Sequence, residues 1–222
     1  MCGISGITNK NVNIVKNMID ITCHRGPDDR GVFEDDEVTL GHSRLSIQDL
    51  TSAGHQPMIS SSGRYVIVYN GEIYNFKRLK NEIDKENLKS ISDTEVILEL
   101  FEKYGINSIQ KLSGIYSFAI WDKEEKKLIL SRDRYGVKPL YYSIKNDNLI
   151  FSSELKSIFI HSGNQKINQN AVNSFFKFGY VTGEQTILEG IYKLLPGEVL
   201  IFKNSHLEKF VINKEIEIPP IK

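Results

Sequence analysis

The stretch GIYSFAIWDKEEKKLILSRDRYGVKPLYYSIKNDNLIFSS, residues 114–153, decides the fold class. It holds four runs rich in β-branched and aromatic residues, IYSFAIW, KLILSRD, PLYYSI and NLIFSS, broken by KEEKK, RYGVK and KNDN. Apolar runs of this length between polar and turn-forming clusters predict successive strands, here a meander. Because these strands cluster instead of alternating strictly with helices, the expected architecture is a layered α+β domain and not a doubly wound parallel sheet.

Moving outward, Val12 to Thr22 places Ile14, Val15, Met18 and Ile21 at helical spacing, which predicts a surface helix. GVF and VTLGHSRLSI, separated by the acidic cluster Glu34 to Glu37, and then YVIVYN rising to a turn at NGE, fit two strands and a hairpin. Helix formers fill Phe76 to Glu86 and Asp93 to Tyr104, with Ser92 and Asp93 as capping candidates for the second. Beyond the meander, Glu154 to Ile160 and Asn170 to Phe178 are helical candidates, and VLIF is a final short strand after the LPG turn. The expected domain is residues 1–210, with residues 211–222, ending in EIEIPPIK, as a linker.

Composition narrows the function classes. Apolar residues make up 40% and charged residues 25%, and 28 basic side chains balance 28 acidic ones. The balance gives no electrostatic case for nucleic acid or an anionic membrane surface, and no run approaches the roughly 18 apolar residues of a membrane span. MCGISGITNK lacks a basic segment followed by an apolar one, so a soluble, cytoplasmic protein is expected. Cys2 and Cys23 are too few for a disulfide framework, although one bridge stays open. His24, His42, His55, His161 and His206 show no metal-ligand spacing, and no metal site is expected.

The candidate chemistry lies at the N-terminus. Removing Met1 would leave Cys2 with a free α-amine of pKa about 7.7–8.0 beside a thiol near about 8.5, a nucleophile and a base in one residue. The competing reading is an ordinary small apolar residue after the initiator. Asn70 and Gly71 could supply a side-chain amide and a backbone N–H to an oxyanion, or Asn-Gly could simply be a hairpin turn. Arg44 could clamp a carboxylate with two parallel bonds, or form a surface ion pair. Asp93 could accept from an ammonium, or act as a helix N-cap.

Nine ordered blocks carry a family likeness: MCGI, HRGPDD (24–29), HSRLSI (42–47), HQPM (55–58), YNGEIYN (69–75), SDTEVIL (92–98), LSGIYSFAIWD (112–122), SRDRYGVKPLYY (131–142) and SSELK (152–156). Together they resemble the class II glutamine amidotransferases, most closely the glutaminase domain of glutamine-hydrolysing asparagine synthetase. The likeness implies a four-layer αββα N-terminal-nucleophile hydrolase sandwich with two antiparallel sheets. It implies Cys2 as nucleophile, Asn70 and Gly71 as the oxyanion hole, Arg44 as carboxylate binder and Asp93 as ammonium binder, with Glu72 and the backbone of Leu45 and Ile47 at further pocket positions. Arg25 and Gly26 would help to close the site, and Cys23 would be structural. Arg132, Lys138 and Glu154 would serve domain coupling or ammonia transfer, against a reading as turn and cap chemistry.

The expected reaction is hydrolysis of glutamine to glutamate and ammonia, with no cofactor in this domain. ATP and Mg are expected only in a C-terminal synthetase domain, the expected partner, whose SGGxDS-type loop does not occur in these 222 residues. A homodimer is compatible with the likeness. Two alternatives stay open: a related amidotransferase acting on another carboxylate such as a sugar acid, and a non-catalytic glutamine-binding module if Met1 is retained.

Overall fold

The computed structural model describes residues 1–83, 88–163 and 165–212. The elements are β1 (Gly3–Ile7), α1 (Val12–Ile21), β2 (Asp29–Glu34), β3 (Thr39–Arg44), β4 (Met58–Ile59), β5 (Tyr65–Ile73), α2 (Phe76–Leu79) and α3 (Asp93–Tyr104). They continue with β6 (Gly114–Asp122), β7 (Lys127–Arg132), β8 (Tyr141–Lys145), β9 (Asn148–Ser152), α4 (Leu155–Ser162), α5 (Gln169–Phe178), β10 (Tyr192–Lys193), β11 (Glu198–Lys203) and β12 (His206–Val211). Among the described residues these strands form two six-stranded sheets, in the orders β10-β8-β9-β1-β3-β2 and β12-β11-β7-β6-β5-β4. Every pairing in them is antiparallel.

Side chains of a strand alternate between faces, and here both faces are buried. Val66 and Val68 of β5, Ala119 and Trp121 of β6, and Leu128 and Leu130 of β7 meet Ile4, Leu40, Leu149 and Phe151 of the other sheet in one core. The alternate positions, Ile67 and Tyr69 of β5, Phe118 and Ile120 of β6 and Ile129 of β7, turn outward against Val96, Ile97, Leu100 and Phe101 of α3. On the far side, Ile7 and Ile150 pack under Val15, Met18 and Ile19 of α1 and Ile158 of α4. The sequence of layers is helix, sheet, sheet, helix, an α+β sandwich as the family likeness implied. Among the described residues, no helix is long and apolar enough to cross a membrane.

Several local expectations need correction. The four runs of residues 114–153 are not one meander: β6 and β7 belong to one sheet, β8 and β9 to the other. The loop between β7 and β8 makes the crossing, and Arg132 and Asp133 build it. Arg132 donates to the carbonyls of Lys138, Gly136 and Leu194 at 2.6–2.7 Å. The fully buried Asp133 carboxylate accepts from the backbone of Tyr135, Val137 and Lys138. Arg132 is thus turn chemistry. Both charges were visible in the sequence, but not that they close a loop onto itself.

NGE is not a hairpin turn either. β5 runs unbroken to Ile73 in register with β6, pairing Asn70 with Ser117 and Gly71 with Tyr116. A Cβ on Gly71 would run into the backbone of Ile115 and lie 2.7 Å from the Tyr116 Cα, so this glycine serves close strand approach instead of a turn. The helix expected over Phe76–Glu86 stops at Leu79 and tightens to a 3-10 turn at Lys80–Glu82, because Ile83 is extended; residues 84–86 lie outside the described residues. VLIF is not the last strand, since Asn204 and Ser205, both at positive φ, turn the chain into β12. Two left-handed residues are what a tight hairpin needs, and Asn-Ser signals it more weakly than Asn-Gly. Val211 closes that strand, so the expected linker cannot begin before Ile212; residues 213–222 lie outside the described residues.

Candidate active site

The ladder between β1 and β3 pairs Gly3 with Ser43, so Cys2 comes off one strand beside Arg44 and Leu45 at the end of the other. The Cys2 Sγ lies 3.4 Å from the Leu45 N–H and 3.7 Å from the Leu45 carbonyl. Burial pushes the thiol up from its ordinary value, while the Leu45 N–H and the charges of Arg44 and Lys138 act the other way. Arg25 fixes the residue from behind: its Nε donates to the Cys2 carbonyl at 2.9 Å, and its Nη1 reaches Glu154 at 3.3 Å. Gly26 lets that turn lie against β3, since a Cβ there would meet the Ser43 carbonyl. Glu154 also holds His24 at 2.7 Å and Lys156 at 3.2 Å.

The second sheet supplies the facing wall. His42 Nε2 lies 3.1 Å from the Tyr69 carbonyl, a hydrogen bond between the sheets next to Asn70. Full burial pushes this imidazole down to about 4, so it is neutral at pH 7 and can donate through Nε2. Asn70 follows Tyr69, buried, with its side-chain Nδ2 finding no acceptor among the described residues. A buried amide donor without a partner costs about 1–3 kcal/mol. Such a cost is tolerated where the donor serves a bound group.

Cys2, Asn70, Gly71, Arg44 and Asp93 all line one cavity of about 110 Å³, together with Leu45, Ile47 and Glu72. Arg44 is no surface ion pair. Only 6% exposed, it donates through Nη1 to the Thr51 carbonyl at 3.0 Å and through Nη2 to the Asp49 carbonyl. A guanidinium has five N–H donors, so three are not committed by these bonds. Asp93 is not the helix cap: Ser92 accepts from the Glu95 N–H and caps α3 instead. The Asp93 carboxylate accepts from the Tyr69 hydroxyl at 2.7 Å and the Ile73 N–H at 2.8 Å, both through Oδ2. Burial pushes its carboxyl up, and those two bonds oppose the shift.

Sequence reading passed over Gln56, Thr94, Gln48 and, as a cavity residue, Lys138. Gln56 is buried and bridges the Tyr69 N–H to the Thr94 hydroxyl, at 2.7 and 3.2 Å. Gln48 reaches Glu72 at 3.5 Å across the cavity mouth. Gln56 and Thr94 sit inside the HQPM and SDTEVIL blocks, which was the available signal. Lys138 lines the cavity beside Met1 and Cys2, while Cys2 and Cys23 are both free thiols. Of the site residues expected from sequence, Arg25 and Gly26 support Cys2 from outside the cavity and the other eight line it.

Residues 1–211 match the family model described as glutamine amidotransferase domain. Asparagine synthetase [glutamine-hydrolyzing] 2 of Bacillus subtilis is 43% identical, over 72% of this chain and 22% of its own length. Asparagine synthetase [glutamine-hydrolyzing] 1 of the same organism is 36% identical, over 89% and 33%. Amidase chry2 of Gibberella zeae is 35% identical, over 97% and 32%. The chain thus spans about a third or less of the length of these relatives. The fold is also that of glutamine phosphoribosylpyrophosphate amidotransferase from B. subtilis, at a TM-score of 0.68 and 22% identity over 97% of this chain and 50% of that one. Since the match runs from Met1 to Val211 and takes in every residue of the cavity, the chain belongs to the glutamine amidotransferase domain family.

Proposed function

We propose that this domain hydrolyses the side-chain amide of glutamine with Cys2 as nucleophile and supplies ammonia to an acceptor elsewhere in a longer protein. The observation that carries this reading is the buried, unpartnered Nδ2 of Asn70, a residue that lines the same cavity as Cys2. Arg44 takes the α-carboxylate and Asp93 the α-ammonium, so the amide end of glutamine is left for Cys2. The sulfur attacks the amide carbon, and the oxygen gathers negative charge between Asn70 Nδ2 and the Gly71 N–H. The collapsing intermediate expels ammonia once its nitrogen has received the proton that the base took from the thiol, and water then cleaves the glutamyl thioester to glutamate and the free thiol. No cofactor is needed for these steps.

The base is the α-amine of Cys2, which exists only once Met1 is removed. With Met1 in place the Cys2 nitrogen is an amide, and Met1 itself lines the cavity. Intact mass and glutamate release, measured on the same preparations with and without Met1, check this: turnover is expected only in the processed form. Full turnover with Met1 retained would remove the amine from the mechanism, and no turnover in either form would favour a glutamine-binding module. Arg44→Ala is expected to raise KM for glutamine at least tenfold, the loss of one charge-assisted contact worth about 1.5–3 kcal/mol. An unchanged KM would count against the carboxylate assignment.

In the whole protein, the ammonia would pass to a carboxylate activated by ATP and Mg in a synthetase domain beyond the linker. Aspartate is the acceptor favoured by the relatives named asparagine synthetase. The relative named an amidase supports a second reading, another carboxylate as acceptor. A cytoplasmic location and a homodimer complete the proposal.

A further inference from the structure

Arg44 ends β3 in one sheet and Asp93 begins α3, which packs on the outer face of the other, so the distance between them must be set by something that spans the gap. Asp49 does so. It lies in the loop after β3, 8% exposed, at φ +52°, a left-handed conformation uncommon outside glycine. Its carbonyl accepts from Arg44 Nη2. Its carboxylate turns the other way: Oδ1 accepts from the Thr51 N–H at 3.1 Å and the Thr51 hydroxyl at 2.5 Å, and Oδ2 accepts from the Ile91 N–H at 3.0 Å. Thr51, held in this way, presents the carbonyl that takes Arg44 Nη1.

Ile91 stands two residues before Asp93. The segment around it is anchored from the opposite side by Glu95 of α3, whose buried carboxylate accepts from the N–H groups of Lys89 and Ser90 at 2.8 and 2.7 Å. Gly54 closes the arrangement, because a Cβ there would collide with Arg44 Nη2. Asp49 is therefore bonded at one end to the carboxylate binder and at the other to the strand of chain that delivers the ammonium binder.

We propose that Asp49 is a positioning residue that sets the spacing between Arg44 and Asp93, and so the preference of the site for a free α-amino acid. The inference rests on the glutamine reading above. Without the Asp49 carboxylate the two charged groups would still be present but would no longer be held at the separation of a carboxylate and an ammonium on one carbon. Binding of the amino-acid end would weaken, while the chemistry at Cys2, Asn70 and Gly71 would continue.

The test measures glutamine turnover by Asp49→Ala and Asp49→Asn, with Arg44→Ala and Asp93→Ala alongside, all in the processed chain. For Asp49→Ala, KM for glutamine is expected to rise at least tenfold with kcat within about threefold, the pattern of lost ground-state binding. The preference for glutamine over its α-carboxamide should fall by a similar factor, since the latter never used the carboxylate clamp. Asp49→Asn keeps the shape and should lie between the two, which covers the case in which Asp49→Ala does not fold. Alkylation of Cys2 by iodoacetamide should keep its rate in both Asp49 variants. A fall in kcat with KM and preference unchanged, or wild-type KM in both Asp49 variants, would overturn the inference. If Arg44→Ala and Asp93→Ala also leave KM unchanged, it is the glutamine reading that fails.

Discussion

Cys2→Ala is expected to lower glutamate release by a factor on the order of 10⁴ or more, with the fold intact. In a nucleophilic enzyme the attacking group is not one contributor among several: without it no thioester forms, and only binding and oxyanion stabilisation of direct water attack remain. The substitution removes one sulfur atom. Its partners in the structure are the Leu45 N–H and carbonyl, and the Arg25 bond to the Cys2 carbonyl does not depend on the side chain. Glutamate release by a coupled assay, together with thermal unfolding of both proteins, checks the expectation. Turnover within tenfold of the parent would end the assignment of Cys2 as nucleophile.

Asn70→Ala is expected to lower kcat by about 10²–10³ with KM changed no more than a few-fold, because an oxyanion donor acts on the transition state far more than on bound substrate. The same substitution should not destabilise the protein. Asn70 Nδ2 has no acceptor among the described residues, so deleting it relieves a buried, unpaired polar group. The β5–β6 ladder that holds the position is made by backbone groups that alanine retains. Lost rate with an equal or higher unfolding temperature is the signature of a donor kept for function. Equal losses of both would make Asn70 a structural residue and move the oxyanion hole elsewhere.

Much of the site was legible before the fold, for a chemical reason. Cys2, Arg44, Asn70, Gly71 and Asp93 are residue types whose donors, acceptors and charges match an amino acid with a reactive amide, and they occur in ordered blocks. Their local surroundings were the weaker part of the reading. Asn-Gly at 70–71 is the strongest short turn signal, yet it lies inside a strand, because the pairing of β5 with β6 across nine residues outweighs a local preference. Asp93 is a sound N-cap candidate by type, but Ser92 fills that role and frees the carboxylate for Tyr69 and Ile73. Lys138 was legible as a charge and not as a cavity residue, since the loop that carries it changes sheets.

By itself the sequence determined that residues 114–153 hold four strands, that the domain is α+β, and which side chains are candidates for cleaving an amide. Alternation and residue type are local properties, readable one segment at a time. Tertiary structure alone decided that the four strands divide between two sheets, that His42 ties those sheets together beside Asn70, and that Asp49 spans from Arg44 to the segment before Asp93. Those three features join residues 27 to 42 positions apart or strands from opposite layers, and no period or motif encodes such a distance. They follow only when two sheets buried on both faces bring their strand ends to one cavity.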